Sequence, residues 1–141
     1  MAKKKVFVSF DYENDKHYKF LLEAWDANKG FEFSFFDKSS KEILSDDISR
    51  VKAALTQKIN QATYTLVIVG KEANKLHPDH EKIGFRNWIN FEVHQSKLAC
   101  NKLVAVKLDK SNESPDELMN EGATSWAMNF TEVAIMKALN N

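Results

Sequence analysis

Two spacings of apolar residues alternate along the chain and divide it into strands and helices. Lys5-Val6-Phe7-Val8-Ser9-Phe10 is short, β-branched and aromatic, the pattern of a buried strand. Tyr18, Leu21, Leu22 and Trp25 then recur at i, i+3, i+4 and i+7, which predicts an amphipathic helix over 16–28. Asp15 offers that helix an N-cap, and Lys29-Gly30 a C-terminal stop. Phe31 to Phe36 reads as a second, aromatic-rich strand. Ile48, Val51, Leu55, Ile59 and Ala62 line one face of the next helix, with Ser45 as cap and Asp46 and Asp47 complementing its dipole. Tyr64 to Val69 is a third strand ended by Gly70. After it come a long polar connection over 71–85 and a helix over 86–100. Leu103 to Leu108 is a fourth strand, and Ser111 to Thr124 a polar loop with room for one short helix. Ser125 to Met128 is a short fifth strand. The last helix is opened by Asn129 and Glu132 and runs through Leu139.

Strands alternating with helices imply a parallel sheet with right-handed crossovers and helices on both faces. Five strands in 141 residues suit a flavodoxin-like three-layer α/β/α sandwich of order 2-1-3-4-5, with the whole chain, 1–141, as one domain. In that order, ligands bind beyond the carboxyl ends of strands 1 and 3, where the winding reverses. Ser9-Phe10-Asp11-Tyr12 leaves strand 1 at that point, and Gly70 onward leaves strand 3. The 71–85 connection has the length of a functional lid or binding loop.

The 86–100 helix carries the most suggestive chemistry. Trp88 and Glu92 are i and i+4 neighbours on one face, while Ile89, Val93 and Cys100 form the adjacent stripe toward the core. Glu92 is therefore expected at the border of core and solvent, beside an indole. A carboxylate in that setting loses hydration, and its pKa should rise unless a donor or ligand compensates. An ordinary surface glutamate on an amphipathic helix has the same spacing.

Composition narrows the chemistry. With 20 basic and 20 acidic residues the net charge is zero, which argues against nucleic acid or an anionic membrane as partner. The basic start Met1 to Lys5 is followed by an apolar run that ends at Asp11, too short for a signal-peptide core or a membrane span. A lone Cys100 cannot form an internal disulfide, so a cytoplasmic home is expected, with Cys100 read as a small core residue. Four glycines at 30, 70, 84 and 122 cannot make a dinucleotide fingerprint, and no Gly-Lys-Ser/Thr phosphate loop is present. A receiver would need an aspartate after strand 3, where Gly70-Lys71-Glu72 stands. His77-x-x-His80 has two ligating side chains, but Pro78 interrupts the helix that would align them. Metal sites need three or four ligands, so no metal is expected.

Taken in order, several segments carry a family resemblance. Trp88-x-x-x-Glu92, opening a helix after strand 3, resembles the Trp-x-x-x-Glu segment of TIR domains that cleave NAD+. Lys5 to Tyr12 resembles the Val-Phe-(Ile/Val)-Ser-(Phe/Tyr) start of that superfamily, and strand 2 leading into Phe36-Asp37 has a TIR-like counterpart. The likeness spans roughly 5 to 138 and is nearest to the compact TIR-like family of bacterial Thoeris anti-phage defence. The resemblance implies that Glu92 is the catalytic acid. It further implies that Phe10, Asp11, Tyr12 and Asp15 line the nucleotide pocket, and that Trp88 is the family's tryptophan. NAD+ would be substrate, with no separate cofactor. The product would be ADP-ribose or a cyclic ADP-ribose-type signal read by a downstream effector, and a homo-oligomer would complete the pocket. The loop after strand 2 lacks the Pro-Gly turn of receptor-type TIR domains, and the long 71–85 connection has no residue-by-residue counterpart. Two alternatives stay open. One is a non-catalytic interaction module working through the Asp37–Glu42 and 111–124 loops; the other is a nucleoside ribosyl-transferring enzyme.

Overall fold

The structure, a computed structural model, describes residues 3–28, 30–36, 47–119 and 122–141. Five parallel strands pair in the order β2-β1-β3-β4-β5, the expected flavodoxin-like arrangement. They are β1 (Lys4–Ser9), β2 (Phe33–Phe36), β3 (Tyr64–Val69), β4 (Lys102–Lys107) and β5 (Ser125–Ala127). Between them run α1 (Tyr12–Asp26), α2 (Ile48–Asn60), α3 (His80–Ile83), α4 (Trp88–Leu98), α5 (Asp116–Met119) and α6 (Glu132–Leu139). Because side chains along a strand alternate between faces, each central strand feeds two cores. Val6, Val8, Leu66, Ile68, Val104 and Val106 pack under α1 and α6 through Leu22, Ile135 and Leu139. On the opposite face Phe7 packs with Leu55, Ile59 and Phe91, and Val67, Val69 and Ala105 pack with Ile89 and Val93. Among the described residues, no helix is long and apolar enough to cross a membrane.

Several boundaries differ from the sequence expectation, each for a local reason. Helix α1 begins at Tyr12, not at residue 16, and its N-cap is Asp11, whose Oδ1 accepts from the Glu13 amide at 3.2 Å. Asp15 lies in the first turn and is buried. That turn projects past the carboxyl edge of the sheet, so the apolar spacing that starts at Tyr18 does not report it. Leu21, expected on the core face, is 45% exposed. Ser45 lies outside the described residues, as does Asp37–Glu42; the described cap of α2 is Asp47, which accepts from the Ser49 amide at 2.9 Å. The last helix is capped by Thr131 rather than Asn129, and the Thr131 hydroxyl in turn donates to the Asn129 side-chain oxygen, Oδ1.

Cys100 is not a core residue. Helix α4 ends at Leu98, and Cys100 is exposed with φ 62°. Its amide donates to the Lys97 carbonyl at 3.1 Å, and the Asn101 amide to the Ser96 carbonyl at 3.0 Å. These two bonds are the Schellman pair that closes a helix through a left-handed residue, which turns Cys100 out of the stripe formed by Ile89 and Val93.

Candidate functional site

Strands β1 and β3 lie side by side, yet the chain leaves them in opposite directions. The segment after β1 enters α1 on one face of the sheet, and the segment after β3 reaches α4 on the other. A cavity of about 430 Å³ opens at this divergence, within the size range of small-molecule sites. Phe10, Asp11 and Tyr12 supply one wall, residues of the 71–85 connection another, and Asn87, Trp88 and Ile89 at the start of α4 a third. A larger, open groove of about 830 Å³ runs between α2 and α4, lined by side chains such as Thr56, Gln57, Phe91 and Gln95. Its lining also holds Lys52 and His94, and none of the six residues singled out from the sequence.

Four of the six residues singled out from the sequence, Phe10, Asp11, Tyr12 and Trp88, thus share one cavity. Glu92 and Asp15 do not line it; both are buried. Glu92 is 3% exposed, deeper than the border position expected of it, and its Oε1 accepts from the Ser9 hydroxyl at 2.5 Å. That hydroxyl is a compensating donor of the kind a buried carboxylate needs. The turn of α4 bearing Glu92 is clamped to β3, because the Ser96 hydroxyl donates to the Glu92 carbonyl at 2.8 Å and lies 2.7 Å from the Thr65 hydroxyl.

Asp15 is 7% exposed, and its buried Oδ2 has no hydrogen-bond partner. Gly70, the residue after β3, makes room for it: a β-carbon at position 70 would stand 2.1 Å from that oxygen. Burial chiefly, and the Asp11 carboxylate next, push the Asp15 carboxyl up to about 6, against a smaller pull from His17. The Asp11 side chain is itself engaged, capping α1 and accepting from the Asn14 amide group at 2.6 Å.

Sequence reasoning missed three contributors. Ser9 sits two residues after Phe7, so the strand period places it on the α4 face and toward Glu92. Gly70 was read only as a strand end. Asn87, 7% exposed, caps α4 by accepting from the Asn90 amide at 2.9 Å and donates to the Ala73 and Lys75 carbonyls, both at 2.9 Å. An asparagine just before an apolar helical run was the available signal. Among the described residues, no three His, Cys, Asp or Glu side chains converge as metal ligands would.

This sheet order, with its pocket at the point of reversal, defines the chain as a doubly wound α/β protein of the flavodoxin and TIR type. A prokaryotic SEFIR domain shares the fold at a TM-score of 0.54 and 13% identity, covering 98% of this chain and 94% of that one. A 3-dehydroquinate dehydratase-like protein from Bifidobacterium longum aligns at a TM-score of 0.45 and 15% identity, over 99% and 97% of the two chains. A search of curated proteins returns no match. Residues 7–113 match the family described as Thoeris protein ThsB, TIR-like domain, and the chain belongs to that family.

Proposed function

We propose that this protein cleaves the nicotinamide–ribose bond of NAD+ and releases a nucleotide signal, in a bacterial anti-phage response. The observation that carries the reading is the placement of Glu92. It is a buried carboxyl held by the Ser9 hydroxyl at 2.5 Å, one helical turn from Trp88 in the pocket wall. Breaking this bond sends its electron pair to the nicotinamide ring, which departs neutral and leaves cationic, oxocarbenium-like charge on the ribose. A departing group of that kind needs no strong general acid. A carboxylate in a poorly hydrated site suffices, stabilising the ribosyl cation and binding its hydroxyls. In this reading the Glu92 carboxylate exchanges its bond from Ser9 for one from a ribose hydroxyl as substrate enters. Trp88, Phe10 and Tyr12 offer flat apolar surface for the nicotinamide or adenine ring.

The ribosyl cation is then captured by water, giving ADP-ribose, or by a nucleophile of the same molecule, giving a cyclic isomer that a downstream effector senses. A homo-oligomer completes the pocket. Mass analysis of products and quantitation of nicotinamide, for wild type and Glu92→Gln, tests the assignment. The variant is expected to fold and to lose at least about 10²-fold in rate, the scale of losing one key electrostatic group. A well-folded Glu92→Gln protein that consumes NAD+ as fast as wild type overturns the role of Glu92.

A further inference from the structure

The 71–85 connection is built as a fixed wall and not as a lid. The Asn87 amide group holds the Ala73 and Lys75 carbonyls. The His77 amide donates to the Arg86 carbonyl at 2.9 Å, and the Arg86 guanidinium to the Asn74 carbonyl at 2.5 Å. The Asn74 side chain is pinned in turn, accepting from Asn90 at 3.0 Å and from the Asp116 amide at 3.1 Å. Asn87 and Asn90 therefore tie this wall to the helix that carries Trp88 and Glu92.

The wall turns two donors toward the cavity edge. Lys75 is the one lysine or arginine among the described residues lining the cavity, and makes no ion pair among them. His77 also lines it, and the Asp79 amide donates to His77 Nδ1 at 2.9 Å. With Nδ1 accepting, the proton of the neutral ring sits on Nε2, which is left as a donor. Across the cavity the Asp11 carboxylate is committed to the start of α1, and Glu13 adds a second negative charge. Glu72 lines the cavity near the base of the 71–85 wall, so an anionic group of a ligand finds its attraction farther along, at Lys75 and His77.

We infer that Lys75 and His77 form a diphosphate subsite, holding the bridging phosphates of a dinucleotide while its nicotinamide riboside half faces Trp88, one helical turn from Glu92. This rests on the NAD+ reading for the second half of the ligand but not for the phosphates. Asn87 is the positioning residue of the subsite, acting through the Lys75 carbonyl.

The test compares substrates with and without phosphate. Lys75 is exposed, so Lys75→Met leaves the fold intact, and His77→Gln keeps a side-chain donor at that position. For Lys75→Met the KM for NAD+ is expected to rise tenfold or more with kcat within twofold. Turnover of nicotinamide riboside, which has no phosphate, should be unchanged, and ADP binding measured by calorimetry should weaken about tenfold. Asn87→Ser keeps a helix cap but releases the wall, and should reproduce the KM effect on NAD+ with kcat within twofold, at a lowered melting temperature because two wall carbonyls lose their donor. Wild-type turnover of NAD+ with KM untouched by Lys75→Met, or an equal effect on the riboside, overturns the subsite and leaves the cleavage reading intact. Lys75-dependent binding of ADP by a protein that releases no nicotinamide keeps the subsite and removes the cleavage reading.

Discussion

Asp15 gives a prediction whose size can be worked from the structure. The carboxyl is 7% exposed, one of its oxygens is unpartnered, and its pKa rises from 3.8 to about 6. The folded chain therefore holds the Asp15 proton more tightly than the unfolded chain does. Its contribution is most favourable below pH 3.8 and is lost as pH climbs through about 6. A shift of roughly two units corresponds to about 3 kcal/mol in the limit of high pH, and about 2 kcal/mol of that develops between pH 4 and 7. Asp15→Asn removes the titration while keeping the shape. The new amide also lacks a partner, so the absolute stability of the variant is less informative than its pH dependence. Urea unfolding followed by circular dichroism at pH 4, 5, 6, 7 and 8 measures it. The stability of the variant minus that of wild type is expected to grow by about 2 kcal/mol from pH 4 to 7 and then level off. A difference constant to within about 0.5 kcal/mol, the range of ordinary surface changes, would show that Asp15 is hydrated in solution.

Two further substitutions probe neighbouring features. Gly70→Ala puts a methyl 2.1 Å from Asp15 Oδ2 and should lower stability by about 1–3 kcal/mol, the usual scale of overpacking. Most of that loss should vanish in an Asp15→Ala background, whereas additive losses in the double-mutant cycle would mean the two residues do not touch. Cys100→Gly relieves a left-handed residue at φ 62° and should raise stability by about 0.5–1 kcal/mol in chemical denaturation. A loss there would show that the thiol makes contacts outweighing the backbone strain.

What the sequence made legible, and what it hid, divides along the range of the interactions involved. Strand order and layering were readable because buried strands and one-faced helices write their surroundings into a local period. Phe7 and Phe91 belong to one core, and Val6 and Leu22 to the other, as alternation requires. The shared cavity of Phe10, Tyr12 and Trp88 followed from topology, since the switch point of the sheet is set by strand order. Helix ends were read less well. They depend on which side chain reaches a free amide, and Asp11 and Asp15, or Asn129 and Thr131, are alike in propensity. Cys100 was misplaced for a related reason, as the helix stop there is a backbone motif filled by a residue other than glycine.

The buried polar pairs could not be read from pattern at all. Ser9 and Glu92 are 83 positions apart, and nothing in the local pattern around Glu92 points to Ser9 as its partner. Their meeting has a direct consequence for the proposed chemistry. A glutamate at the border of core and solvent would exchange its hydration freely, whereas one at 3% exposure has exchanged water for fixed protein groups, the Ser9 hydroxyl among them. In the proposed reaction, a ribose hydroxyl would replace the Ser9 donor without stripping a hydration shell, so the reorganisation that opposes catalysis in water would have been met during folding.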